Sequence, residues 1–214
     1  MQLTGRKANF LGDSITQGHG TSAPEHIYLN VLKERCGLAC ARNYGIGGTT
    51  IAASVDREKC PDFGPPFVER YQQMEDDADL IVVFGGANDF GHGDAPMGKS
   101  EDRDIHTFYG ALNLLMEGLI EKYPLADIVF MTPLQNIGET QPSALTGCRL
   151  EEYARAIQSA GRRFAIPVLD LYGTSGLCAH LESVRKLFLP DGLHPNDAGH
   201  LKVASRLQGF LESL

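Results

Sequence analysis

The chain has 214 residues, 43% hydrophobic and 21% charged, a size and balance suited to one globular domain, 1–214, that buries its own core. Its formal charge of −8, with no Lys/Arg cluster, argues against nucleic acid or an anionic membrane as partner. Five cysteines (Cys36, Cys40, Cys60, Cys148, Cys178) form no Cys-x-x-Cys pair, which excludes a disulfide framework or a zinc module. No apolar run approaches the ~20 residues of a membrane span, and residues 1–7 lack the apolar core of a secretory signal. A cytoplasmic location is therefore expected.

In chain order, Lys7 to Leu11 reads as a first buried strand running into Gly12-Asp13-Ser14-Ile15-Thr16. Residues 26–36 carry Ile27, Tyr28, Val31 and Leu32 on one side, an amphipathic helix ending at Gly37. Leu38 to Asn43 is a weak second strand, followed by a glycine-rich turn, Asn43 to Thr50. The segment from Cys60 to Pro66 reads as a loop, and Phe67, Tyr71 and Met74 mark a short helix. Leu80 to Phe84 is apolar on both faces, as a central parallel strand should be, and it runs into Gly85-Gly86-Ala87-Asn88-Asp89. A polar loop then extends to Asp104. Ile105, Phe108, Leu112, Leu115 and Leu119 repeat at helical spacing; Ile128 to Met131 is a fourth strand; Leu150 to Phe164 is a helix; Pro167 to Leu171 is a fifth strand. Residues 173–186 show no clear pattern, and after Asp191-Gly192-Leu193-His194-Pro195 a helix carries Ala198, Leu201, Ala204, Leu207, Leu211 and Leu214 on one face. Strand–helix alternation of this kind predicts an α/β fold, a three-layer α/β/α sandwich around a flavodoxin-like parallel five-stranded sheet of order 2-1-3-4-5.

Such a sheet brings the loops after its strands to one edge, where ligands bind. Ser14, Gly48 and Asn88 follow successive strands, and Asp191 and His194 precede the last helix. A lone Gly-Asp-Ser is more often a helix cap than a catalytic motif, and Asp-Gly or Asn-Asp alone is an ordinary turn. Their convergence points instead to acyl transfer. A serine hydroxyl is a weak nucleophile that needs a base, His194 can serve as that base, and Asp191 can hold its other ring nitrogen. The N–H groups of Ser14 and Gly48 and the side-chain amide of Asn88 are candidate donors to the oxyanion. The other six histidines, His19, His26, His92, His106, His180 and His200, are expected to be structural, although His19 and His92 fall near the expected crevice.

Four motifs in order, Gly12-Asp13-Ser14, Asn43 through Gly48, Gly86-Ala87-Asn88-Asp89 and Asp191-Gly192-Leu193-His194-Pro195, resemble those of the SGNH hydrolase superfamily of GDSL-type esterases and lipases. The resemblance implies Ser14 as nucleophile, His194 as base, Asp191 as its partner, and Ser14, Gly48 and Asn88 as the oxyanion hole, with no metal and no cofactor. Ile15 replaces the leucine of the GDSL name, and Asn9 is an unusual polar residue within the first strand. Gly47 competes with Gly48 for the oxyanion position, and the spacing from Asn43 favours Gly48.

The expected function is a serine esterase acting through an acyl-enzyme on a small acyl ester, an acetylated carbohydrate being the favoured substrate. The alternatives are a metal-dependent phosphoesterase, for which the chain lacks a second His-rich turn, and a non-catalytic carbohydrate-binding protein on the same scaffold. Loops 55–66, 91–104 and 132–147 are expected to shape the pocket.

Overall fold

A computed structural model describes residues 1–56, 58 and 63–214. Five parallel strands, β1 (Lys7–Gly12), β2 (Cys40–Gly45), β3 (Leu80–Phe84), β4 (Asp127–Met131) and β5 (Val168–Leu169), form a sheet of order β2-β1-β3-β4-β5. The helices are α1 (Ser14–Gln17), α2 (Tyr28–Cys36), α3 (Phe67–Arg70), α4 (Ala87–Gly91), α5 (Phe108–Lys122), α6 (Leu150–Arg163), α7 (Leu171–Thr174), α8 (Glu182–Phe188) and α9 (Asp197–Ser213).

Side chains of a strand point alternately to opposite faces, and the central strands use both. Ile81 and Val83 of β3 join Phe130 of β4 in a cluster with Phe108, Leu112 and Leu115 of α5 and Tyr153 and Ile157 of α6. Leu80, Val82 and Phe84 face the other way, toward Leu29 and Leu32 of α2 and Val203 and Leu207 of α9. Two cores on the two faces of one sheet make the three layers, and all five residues of β3 are buried. Burying a Leu or Phe side chain contributes about 1.5–3 kcal/mol, so these faces hold the sheet in place.

The elements differ from expectation where the local signal is weak. β2 begins two residues later and extends through Gly45, so Tyr44 and Gly45, expected in the turn, lie in the strand. β5 is two residues long, because Asp170 caps α7 by accepting from the Gly173 amide at 3.0 Å. α4 lies at the head of the expected polar loop; its cap, Gly86, takes φ 103°, and a single turn is too short to show a periodicity. α8 occupies the patternless stretch and none of its residues is buried, so it carries no apolar stripe to read.

Asn9 has a clear structural role. It is fully buried, its Nδ2 donates to the Glu75 carbonyl at 2.8 Å, and its Oδ1 accepts from Arg42 at 3.2 Å. A buried amide needs such partners; here it joins β1 to β2 and to the segment before β3.

Candidate active site

The turn from β1 into α1 places Ser14. Asp13 is the N-cap, its Oδ1 accepting from the Ile15 amide at 3.0 Å, so the capping role belongs to Asp13 and leaves the Ser14 hydroxyl to other contacts. The turn is very tight. A Cβ on Gly45 would lie 2.2 Å from the Gln17 amide nitrogen, so only glycine lets β2 pass this close to α1. Burial pushes the Asp13 carboxyl up to about 7, the Ile15 amide opposing that rise and the charge of Asp89 adding to it.

Ser14 Oγ lies 2.9 Å from His194 Nε2, across 180 residues of sequence. His194 Nδ1 donates to Asp191 Oδ2 at 2.7 Å. The other carboxylate oxygen accepts from the amides of Leu193 (2.9 Å) and His194 (2.7 Å), so Asp191 orders its own loop as well as the imidazole. Burial opposes ionisation of Asp191, but these two amides and the His194 ring outweigh it and hold the carboxyl below its usual range. Gly192, at φ 84°, closes the turn, and its carbonyl accepts from the Ile137 amide at 2.9 Å. The 132–147 segment therefore braces the Asp191 loop; it contributes no residue to the cavity described next.

Asn88 reaches the loop that carries Gly48, and Gly47 of that loop lies against Ser14. Asn88 Nδ2 donates to the Thr49 carbonyl at 3.0 Å, which fixes the amide against the loop and leaves a second Nδ2 hydrogen. The Gly47 amide is already held by Gln17 Oε1 at 2.8 Å, which favours Gly48 as the donor of the pair. The Gly48 carbonyl accepts from His92 Nε2 at 2.8 Å. Asp89 is buried and binds the amides of Ile51 (2.9 Å) and Ala52 (3.0 Å); burial raises its carboxyl to about 6 against those bonds. A cavity of about 370 Å³ opens from Gly48 and His92, bounded by Ala53, Phe63, Pro66 and Ala95. Of the loops expected to shape a pocket, 55–66 and 91–104 contribute to its wall; residues 57 and 59–62, Cys60 among them, lie outside the described residues.

The histidines divide largely as expected. The His19 ring stands 4.4 Å from that of His194, centroid to centroid. His26 bonds Ser22, His106 the Ser54 carbonyl and His180 the Glu139 carboxylate. His200 of α9 is fully buried, with Nδ1 accepting from the Tyr28 amide at 3.2 Å, and burial lowers its pKa from 6.5 to about 4. It is neutral in the fold at neutral pH, while the unfolded chain binds its proton near 6.5. Its contribution to stability is therefore intact above pH 6.5 and lost as the pH falls toward 4, by on the order of 3 kcal/mol. In urea titrations, the stability advantage of the native chain over His200→Gln should shrink by about that amount from pH 7 to 4; a constant difference would show that the ring is not held neutral.

Sequence reasoning missed Arg70 and the anchoring role of Asp89. In the sequence Arg70 stands beside Glu69 in a mixed stretch after Pro66 and carries no distinguishing mark. Among the described residues, no group of three or more His, Cys, Asp or Glu side chains is arranged to hold a metal ion. No helix among them is long and apolar enough to cross a membrane.

A parallel α/β/α sheet with a Ser–His–Asp row at its edge is the arrangement of a hydrolase family. The chain belongs to the GDSL-like Lipase/Acylhydrolase family, whose sequence model matches residues 10–202. It is similar to a protein of known structure from Lactobacillus plantarum, with 34% identity, a TM-score of 0.86 and coverage of 99% of this chain and 98% of that one. A lipase/acylhydrolase from Enterococcus faecalis shares the fold at 23% identity and a TM-score of 0.64, over 94% and 93% of the two chains. So does a two-domain esterase active on acetylated mannans, at 21% identity and a TM-score of 0.65, over 99% of this chain and 49% of that one. No curated protein matches the chain.

Proposed function

We propose that the protein is a serine esterase that hydrolyses a small carboxylic ester through an acyl-enzyme. The observation that carries this reading is the continuous row Ser14 Oγ–His194–Asp191, at 2.9 and 2.7 Å. Ser14 attacks the ester carbonyl as His194 Nε2 takes its proton, and Asp191 keeps Nδ1 protonated and stabilises the imidazolium. The amides of Ser14 and Gly48 and the free Nδ2 hydrogen of Asn88 receive the charge that develops on the carbonyl oxygen. His194 then returns the proton to the leaving alcohol. Water repeats the sequence on the acyl-enzyme and frees the acid.

A cavity of about 370 Å³, at the small end of ligand sites, opens from Gly48; Ser14 and His194 do not line it, so acyl length is decided by a substrate panel. One fold neighbour is active on acetylated mannans, so acetylated sugars belong on the substrate panel beside p-nitrophenyl acetate and butyrate. Turnover of p-nitrophenyl acetate should persist in excess chelator. Loss of activity with chelator and its return with a divalent metal would favour a phosphoesterase, and an absence of turnover on the whole panel would favour a binding protein. Asn88→Ala should lower kcat about 10²–10³-fold; an unchanged kcat removes Asn88 from the oxyanion hole.

A further inference from the structure

Arg70, the last residue of α3, is 4% exposed, and its guanidinium bonds to carbonyl and hydroxyl oxygens. Nη2 donates to the Gly12 carbonyl at 2.6 Å and to Thr49 Oγ1 at 3.1 Å, while Nη1 donates to the Tyr44 carbonyl. The Phe67 ring lies 4.6 Å below the guanidinium carbon. Burial pulls its pKa down to about 10, the charge of Asp13 resisting the fall, so the group remains a cation at neutral pH. Among the described residues it makes no ion pair, and a buried cation so held is a costly way to fill space; its acceptors share one property.

Gly12 ends β1 two residues before Ser14. Tyr44 lies near the end of β2, and Thr49 follows Gly48 directly. The fixed fork of one arginine therefore bonds to the segment bearing the nucleophile and to the segment bearing the second oxyanion donor. Asn88 and Asp89 hold the 49–52 segment from the β3 side, through the Thr49 carbonyl and the Ile51 and Ala52 amides. We propose that Arg70 is a positioning residue of this site, setting the distance between the Ser14 and Gly48 amides so that both reach the same oxyanion. The inference rests on the esterase reading above.

The test is steady-state hydrolysis of p-nitrophenyl acetate, with kcat counted per folded molecule from the amplitude of the thermal unfolding transition. Arg70→Lys keeps the charge and loses the fork; kcat should fall about 10²-fold, as for a displacement of about 1 Å in a catalytic group, with KM within about threefold. Thr49→Val removes one acceptor and should lower kcat about tenfold, and Thr49→Ser should restore it. A role confined to stability would lower the unfolding temperature and leave kcat per folded molecule unchanged. Ser14→Ala runs alongside and separates the two claims. If it is inactive while Arg70→Lys keeps its kcat, the positioning role is overturned and the esterase reading stands; if it is fully active, the esterase reading itself fails. Should Arg70→Lys not fold, the Thr49 pair decides: an unchanged kcat in Thr49→Val overturns the inference, and a loss rescued by serine supports it.

Discussion

Replacing Ser14 with alanine should lower kcat for p-nitrophenyl acetate about 10⁶-fold, the scale seen when the nucleophile of a comparable triad is removed. The substitution deletes one oxygen at the start of α1. The cap made by Asp13 on the Ile15 amide and the packing of Ile15 and Thr16 do not depend on that oxygen, so the fold should survive. The lesion is then chemical. With no Oγ, His194 has no proton to accept and no covalent intermediate forms, so the burst of p-nitrophenol that marks acylation should disappear as well. A variant that keeps its burst, or loses less than about tenfold, would rule out Ser14 as the attacking group.

The second large effect is expected at Asp191. Asp191→Asn can keep one oxygen for the Leu193 and His194 amides, so the loop keeps its shape. Its amide then meets Nδ1, which must become an acceptor, and the ring proton moves to Nε2, where it opposes the Ser14 hydroxyl. The base has the right position and the wrong tautomer, a change that costs about 10⁴ in kcat in a serine protease triad. KM should move little, because nothing that touches the substrate has changed. A fall of less than tenfold would mean that the two backbone amides of the loop, and not the imidazole, are what this carboxylate serves.

The strands and the long helices are legible in the sequence because burial writes a period into them. Leu80 to Phe84 reads as a central strand, since a residue buried on either face must be apolar. The candidate site residues are legible for a different reason: Ser14, Gly48 and Asn88 each follow a strand, and Asp191 and His194 share a short turn just before the last helix. Other features leave no such mark. No residue of α8 is fully buried, so no periodicity marks it, and β5 is cut short by a cap at Asp170 that depends on a glycine three residues on. Arg70 is the hardest case. Its partners Gly12, Tyr44 and Thr49 offer a carbonyl, a carbonyl and a hydroxyl, groups that most residues or many residues could present, so no pairing of residue types announces the contact. Asn9 is hidden in the same way, with a backbone carbonyl as its main acceptor.

The hydrogen bond between Ser14 and His194 joins two ends of the chain, and the second of them leads directly into α9. That helix is fastened to the opening segments by Ser22 to Asp197 at 2.6 Å, Tyr28 to His200 at 3.2 Å and Arg35 to Ser205 at 3.0 Å. Peeling α9 from α2 would draw the imidazole off the serine while the central strands stay paired. Turnover should therefore fail at a lower denaturant concentration than the far-ultraviolet signal of the sheet and helices. The enzyme would report on the docking of its last helix before any global probe does.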